Sequence, residues 1–193
     1  MHRQPLLVVL RAEQPSALLP QLERLDQIGL RHVELAWSAH PHWPLQAAAL
    51  VERFPRLSLG AASVCSMEAL EGVLAAGLAY AVSPVLDADL LQAARRWSLV
   101  LVPGVFSPSE VHRARRLGCP LVKLFPAAQL GPGFWPRLRG PIGHLPACIA
   151  AGGLGVVDVE PWLAAGVDAV ALGGQLNGTD AWAGLTQLVS RLG

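Results

Sequence analysis

The feature that most constrains this chain is a recurrence: short apolar runs separated by amphipathic stretches along its whole length. The runs occupy residues 6–10, 32–36, 57–61, 79–82, 99–102, 121–124, 147–150 and 169–172. Eight runs in 193 residues give a mean spacing of about 24, the length of one strand–loop–helix–loop unit. LLVVL at 6–10 and LVLV at 99–102 show no polar alternation, which fits parallel strands enclosed on both faces.

The segments between the runs predict helices. Ala17, Leu18, Leu22, Leu25 and Ile28 share one stripe, with Ser16 placed to cap its start. Ala48, Leu50 and Val51 belong to a second helix, and Leu70, Val73 and Leu74 to a third. Ser107, Pro108 and Glu110 form a helix start: a hydroxyl cap, a proline in the first turn and an acid near the positive dipole end. Asp158 is expected to cap 159–165, and Thr179 with Asp180 to open the last helix. Gly29, Gly77, Gly118 and Gly166 stand where helices should end in a left-handed residue.

Eight such units without a composition break predict one domain over 1–193, a compact α/β (β/α)8 TIM barrel. A doubly wound open sheet uses the same alternation, but usually with fewer strands. Barrels of this kind commonly run to about 250 residues, so loops and helices here must be short. The Gly- and Pro-rich stretch 131–143 should hold the most abbreviated helix.

Composition removes several functional classes. Hydrophobic residues make up 52% and charged residues 15%, too apolar for a disordered chain. The net charge of +1 comes from dispersed residues, so no electrostatic footprint for nucleic acid exists. No apolar run approaches the roughly 18–20 residues of a membrane span, and the start of the chain lacks the pattern of a secretory signal. Cys65, Cys119 and Cys148 are odd in number and unpaired in spacing, as expected of reduced thiols in a cytoplasmic protein. His40 and His42 have no third ligand at suitable spacing, so no metal site is expected.

In a (β/α)8 barrel, chemistry sits at the C-terminal ends of the strands. Those positions read Arg11, Glu34, Ser63, Ser83, Pro103 with Gly104, Lys123, Gly152 with Gly153, and Gly173 with Gly174. Fourteen of the fifteen basic residues are arginine, and the single lysine is Lys123, set among apolar neighbours in the sixth run. Burial disfavours the charged amine and lowers its pKa. The neutral amine can then attack a carbonyl and form a Schiff base, which arginine cannot do. Glu34 is the other charged residue within a run, and it is either a proton shuttle for such chemistry or a counter-ion for Arg11 or Lys123. The pairs Gly152-Gly153 and Gly173-Gly174 follow the seventh and eighth runs, where exposed backbone N–H groups suit a phosphate.

These residues, in this order, resemble the class I KHG/KDPG aldolases, which act on 2-keto-3-deoxy-6-phosphogluconate (KDPG) or 4-hydroxy-2-oxoglutarate (KHG). The similarity is carried by VLR at 9–11, HVEL at 32–35, GAASV at 60–64, AVSP at 81–84 and VPGVFSP at 102–108. VKLFPA at 122–127, resembling the Schiff-base lysine motif, is the most specific, and GP at 140–141 and AGG at 151–153 continue the match. The resemblance implies retro-aldol cleavage without a metal or other cofactor, giving pyruvate and an aldehyde. Lys123 would form the imine and Glu34 would move protons. Arg11 and Ser63 would hold the pyruvate carboxylate, Phe125 would line the site, and the four glycines would hold phosphate. The implied partners are a small 2-keto acid, phosphorylated in the KDPG case, and two further copies of the chain in a homotrimer. No nucleic acid or membrane is implied.

The chain departs from the family pattern at Ser38, Ala62, Ser63, Ala151 and Gly174. Each lost hydroxyl removes a hydrogen bond worth about 1 kcal/mol, so the grip on substrate is altered while the imine machinery is kept. The competing expectations are a sugar-phosphate isomerase or epimerase on the same barrel, and a relative that binds a phosphorylated metabolite without turnover.

Overall fold

The structure is a computed structural model that describes residues 4–174 and 179–193. Nine parallel strand segments form one sheet: β1 (Leu6–Leu10), β2 (His32–Ala36), β3 (Ser58–Ala62), β4 (Ala81–Val82), β5 (Leu101–Val102), β6 (Gly104–Val105), β7 (Leu121–Leu124), β8 (Ala147–Ala151) and β9 (Ala169–Leu172). Their order is β5-β4-β3-β2-β1-β9-β8-β7-β6. The two end members are halves of one strand, divided at Pro103, so the sheet returns on itself as a (β/α)8 barrel. The run expected at 99–102 is trimmed to Leu101–Val102, and a second short segment, Gly104–Val105, follows beyond Pro103, because proline has no N–H to give the ladder. The Pro103 carbonyl still accepts from the Lys123 N–H at 2.8 Å, so the seam stays joined to β7. The third run lies one residue later than expected, and the fourth is trimmed to its last two residues.

Helices cover the outside: α1 (Leu19–Gln27), α2 (Trp43–Arg53), α3 (Met67–Ala75), α4 (Ala88–Arg96), α5 (Pro108–Arg116), α6 (Phe134–Arg137), α7 (Arg139–Ile142), α8 (Val159–Ala164) and α9 (Thr179–Leu192). Between β7 and β8 the chain forms a 3-10 turn (Ala127–Gln129) and the four-residue turns α6 and α7, as its glycines and prolines require. Gly29, Gly77, Gly118 and Gly166 all have positive φ after their helices, as expected of left-handed caps.

Two caps differ from expectation. Pro15–Leu18 winds as a 3-10 turn ahead of α1, so Ser16 caps nothing and instead donates its backbone N–H to Gln46 Oε1 at 3.1 Å. Asp158 turns back to accept the Gly155 N–H at 2.7 Å and closes a 3-10 turn rather than capping α8. The residue that would cap α9 lies outside the described residues.

Two apolar layers result. One packs the outer faces of the strands against the helices, with Leu6, Leu22, Leu35, Trp43, Leu70 and Trp135 fully buried. The other fills the barrel, where Leu7, Val82, Val102, Ile149, Ala151 and Ala171 interdigitate. The strand period of two sends alternate residues to these two layers, so β1 gives Leu7 inward and Leu6 and Val8 outward.

The α5 start is a full capping box: Ser107 Oγ accepts the Glu110 N–H at 3.3 Å, and Glu110 Oε2 accepts the Ser107 N–H at 2.8 Å. Replacing Ser107 with Ala should therefore lower stability by about 1 kcal/mol, read as a lower urea midpoint at unchanged m-value.

Candidate active site

Glu34 is the central residue of β2 and Lys123 the third of β7, almost across the barrel from each other. Both side chains point inward, since their strand neighbours Val33, Leu35, Val122 and Leu124 belong to the outer layer. Lys123 Nζ lies 3.9 Å from Glu34 Oε2, with the side chains 6% and 0% exposed. Neither Glu34 oxygen has a hydrogen-bond partner among the described residues.

Burial dominates the electrostatics of both groups. It pushes the Glu34 carboxyl above the usual carboxylate range, against the opposing pull of Lys123 and Arg11. It holds the Lys123 amine below its ordinary value, aided by the positive charge of Arg11 and opposed by Glu34 and Cys65. The two shifts run toward one shared proton rather than a fixed ion pair. Burial thereby favours the uncharged form of each group.

The amine opens onto a cavity of about 370 Å³ at the C-terminal ends of the strands. Its lining brings together Val9, Arg11, Lys123, Phe125, Gly152, Gly153, Gly173 and Gly174, along with Ala151, Leu154 and Ala171. The Phe125 ring stands 5.4 Å from Lys123 Nζ, its centroid facing the amine. Ser63 sits just past β3 at φ 62°, a left-handed conformation that a non-glycine residue rarely adopts. Its hydroxyl accepts a 3.0 Å hydrogen bond from Arg11 Nη1, which fixes the guanidinium at the mouth.

The two glycine pairs differ physically. Gly152 and Gly153 have φ of 94° and 77°, and a Cβ on Gly152 would stand 2.7 Å from the Phe125 ring. Only glycine lets this loop cross behind Phe125. Among the described residues only Val9, at 3.9 Å, comes near a Cβ on Gly173, and none comes within 4 Å of one on Gly174.

All nine residues singled out from the sequence thus fall at one end of the barrel, eight on the cavity or on the Lys123–Glu34 contact and Ser63 through Arg11. Ser38 is directed elsewhere, donating to the Glu13 carbonyl at 2.5 Å. Sequence reasoning passed over Tyr80, whose hydroxyl is buried without a partner among the described residues. The available signal was its place two residues before Val82, on the inward face of the fourth run.

Comparison with known proteins agrees with this arrangement. The family model described as KDPG and KHG aldolase matches residues 1–187. A 2-dehydro-3-deoxy-6-phosphogalactonate aldolase of Escherichia coli is 24% identical over 173 residues, covering 89% of this chain and 84% of that protein. A 2-dehydro-3-deoxy-phosphogluconate aldolase of Dickeya dadantii is 30% identical over 162 residues, covering 83% and 73%. The crystal structure of the KDPG aldolase of Legionella pneumophila, with pyruvate captured as a covalent carbinolamine, superposes with a TM-score of 0.81 at 26% identity, covering 98% of this chain and 94% of that one. With the fold, the buried amine and a match over almost its whole length in agreement, the chain belongs to the KDPG and KHG aldolase family.

Proposed function

We propose that this chain is an imine-forming class I aldolase that cleaves a 2-keto-3-deoxy sugar acid phosphate or 4-hydroxy-2-oxoglutarate to pyruvate and an aldehyde. The observation that carries the reading is the buried contact of Lys123 Nζ with Glu34 Oε2 at 3.9 Å. A sugar-phosphate isomerase would have no use for a buried amine whose charged form is disfavoured.

The neutral amine attacks the C2 ketone of the substrate, and Glu34 carries the protons that let the carbinolamine lose water. Glu34 then takes the proton from the C4 hydroxyl. The C3–C4 bond breaks, its electron pair moves into the imine, and the aldehyde departs. The resulting enamine is protonated at C3, and water releases pyruvate from Lys123. The imine nitrogen accepts the electrons throughout, so the cycle closes without a metal. Arg11, tethered by Ser63, is placed to hold the carboxylate, and Phe125 covers one side of the amine.

A phosphorylated substrate is supported by the glycines that line the cavity and by the substrates named for the relatives from E. coli and D. dadantii. Ala151 and Gly174 bring no hydroxyl to that end, so the phosphate would be held by backbone N–H groups. We extend the reading to a homotrimer. The exposed side chains Val85, Val100 and Phe106 fit a chain that buries apolar surface against its own copies. No helix among the described residues is long and apolar enough to cross a membrane, which is compatible with a cytoplasmic site of action.

Incubation with pyruvate and borohydride should add stable mass at Lys123, and Lys123→Arg should abolish both this adduct and pyruvate release. Folded protein that gains no mass at saturating pyruvate would refute the imine mechanism. A protein that is trapped but releases no pyruvate from any 2-keto acid offered would be a binder instead.

The pH dependence follows from the two shifts. Lys123 attacks only when deprotonated, the form that its lowered pKa favours, and Glu34 accepts a proton only above its raised pKa. Both requirements fail in the same direction, so kcat/KM should fall as pH drops through these values and hold above them. Glu34→Gln should lose about 10²–10⁴-fold in kcat while still forming some trapped adduct.

A further inference from the structure

Three buried side-chain oxygens have no hydrogen-bond partner among the described residues: both carboxylate oxygens of Glu34 and the hydroxyl of Tyr80. Buried polar groups in folded proteins are overwhelmingly paired, and the cost of leaving them unpaired is steep. Their positions suggest that these three belong together.

Glu34 on β2 is in register with Gly60 on β3, and in-register residues of parallel strands send their side chains to the same face. Gly60 has no side chain, and the Tyr80 ring fills its place. A Cβ on Gly60 would lie 2.4 Å from Tyr80 Cε2 and 2.5 Å from Cζ, the carbon that bears the hydroxyl. The phenol therefore lies in the lane next to Glu34, about 4.8 Å away by ordinary strand spacing. The closeness is also electrostatic, since the Glu34 charge adds to burial in driving the phenol well above its usual range. On its other side Tyr80 borders a cavity of about 240 Å³ at the N-terminal mouth, shared with Leu7, His32, Ser58 and Ile149.

We propose that Tyr80 is a positioning residue for Glu34: its hydroxyl donates to one buried water that in turn donates to the Glu34 carboxylate. The phenol is a donor that stays protonated, and the carboxylate facing it is an acceptor in need of one. Lys123 on β7 and Arg11 after β1 act on the carboxylate from the cavity side. Tyr80 supports it from below, favouring the ionised form and holding it toward the amine. The catalytic consequence rests on the aldolase reading, while the hydrogen bond does not.

Tyr80 is the sole tyrosine, so ¹³C labelling at tyrosine Cζ gives one resonance. With ¹³C-labelled glutamate in the same protein, the Tyr80 Cζ shift should step at the pH where the Glu34 Cδ signal titrates. The step should vanish in Glu34→Gln and survive in His32→Asn, the titratable neighbour across the lower cavity. A Cζ shift that stays flat through the Glu34 transition would overturn the proposal without any variant having to fold. In Tyr80→Phe, the Glu34 Cδ transition and the acid limb of kcat/KM should both move to higher pH. kcat should fall roughly tenfold, the loss expected for a hydrogen bond to a charged group, with KM and borohydride trapping little changed. A Tyr80→Phe enzyme with the wild-type pH profile would reduce the residue to a core filler. Loss of pyruvate release in the wild type alongside an intact Cζ step would sink the aldolase reading and leave the hydrogen bond standing.

Discussion

Everything in this structure turns on keeping one amine and one carboxyl out of water at contact distance. An isolated charge in such surroundings is strongly disfavoured, and Lys123 with Glu34 answers this by drawing each pKa toward neutrality. The pair would be a poor device for stability, since apolar residues of similar size often do as well. Its value is chemical. Burial favours the uncharged amine of Lys123 and raises the pKa of the Glu34 carboxyl, the two tendencies that the proposed imine chemistry calls for.

The packing around the pair shows how that environment is built. Toward the N-terminal mouth the barrel is occupied by Leu7, Ile149, Leu121 and the Tyr80 ring. Toward the other end the inward residues shrink to Ala62, Ala151, Ala171 and Gly173. This taper from large to small leaves the cavity where Lys123 opens and closes the barrel beneath it. Glycine serves opposite ends at Gly60 and Gly152, in each case because an aromatic ring occupies the space of a Cβ. The resulting site has a largely apolar floor and an open mouth.

Much of this was legible from residue order. Apolar runs placed β1, β2, β7 and β9 at their observed bounds, because a strand buried on both faces needs an unbroken apolar segment. Lys123 stood out because a chain that otherwise uses arginine kept one lysine, and Glu34 because it interrupted an apolar run. Cap assignments fared unevenly. Ser107 was placed correctly because its partner Glu110 lies within one turn. Ser16 was not, because Pro15–Leu18 winds as a 3-10 turn and α1 starts only at Leu19, past the reach of a Ser16 cap. Tyr80 escaped notice because its significance depends on the missing side chain of Gly60 on a neighbouring strand.

Periodicity, the solitary lysine and the ordered motifs determined by themselves the alternation of strands and helices and the residues that meet at the candidate site. These are local properties, written in spacing and residue type. Only the closed barrel decided that Glu34 meets Lys123 at 3.9 Å, that Arg11 is tied to Ser63 and that the Tyr80 hydroxyl is sealed in beside them. Distances across a barrel depend on register, closure and the volumes of facing side chains summed over all strands, and no single stretch of sequence contains that sum.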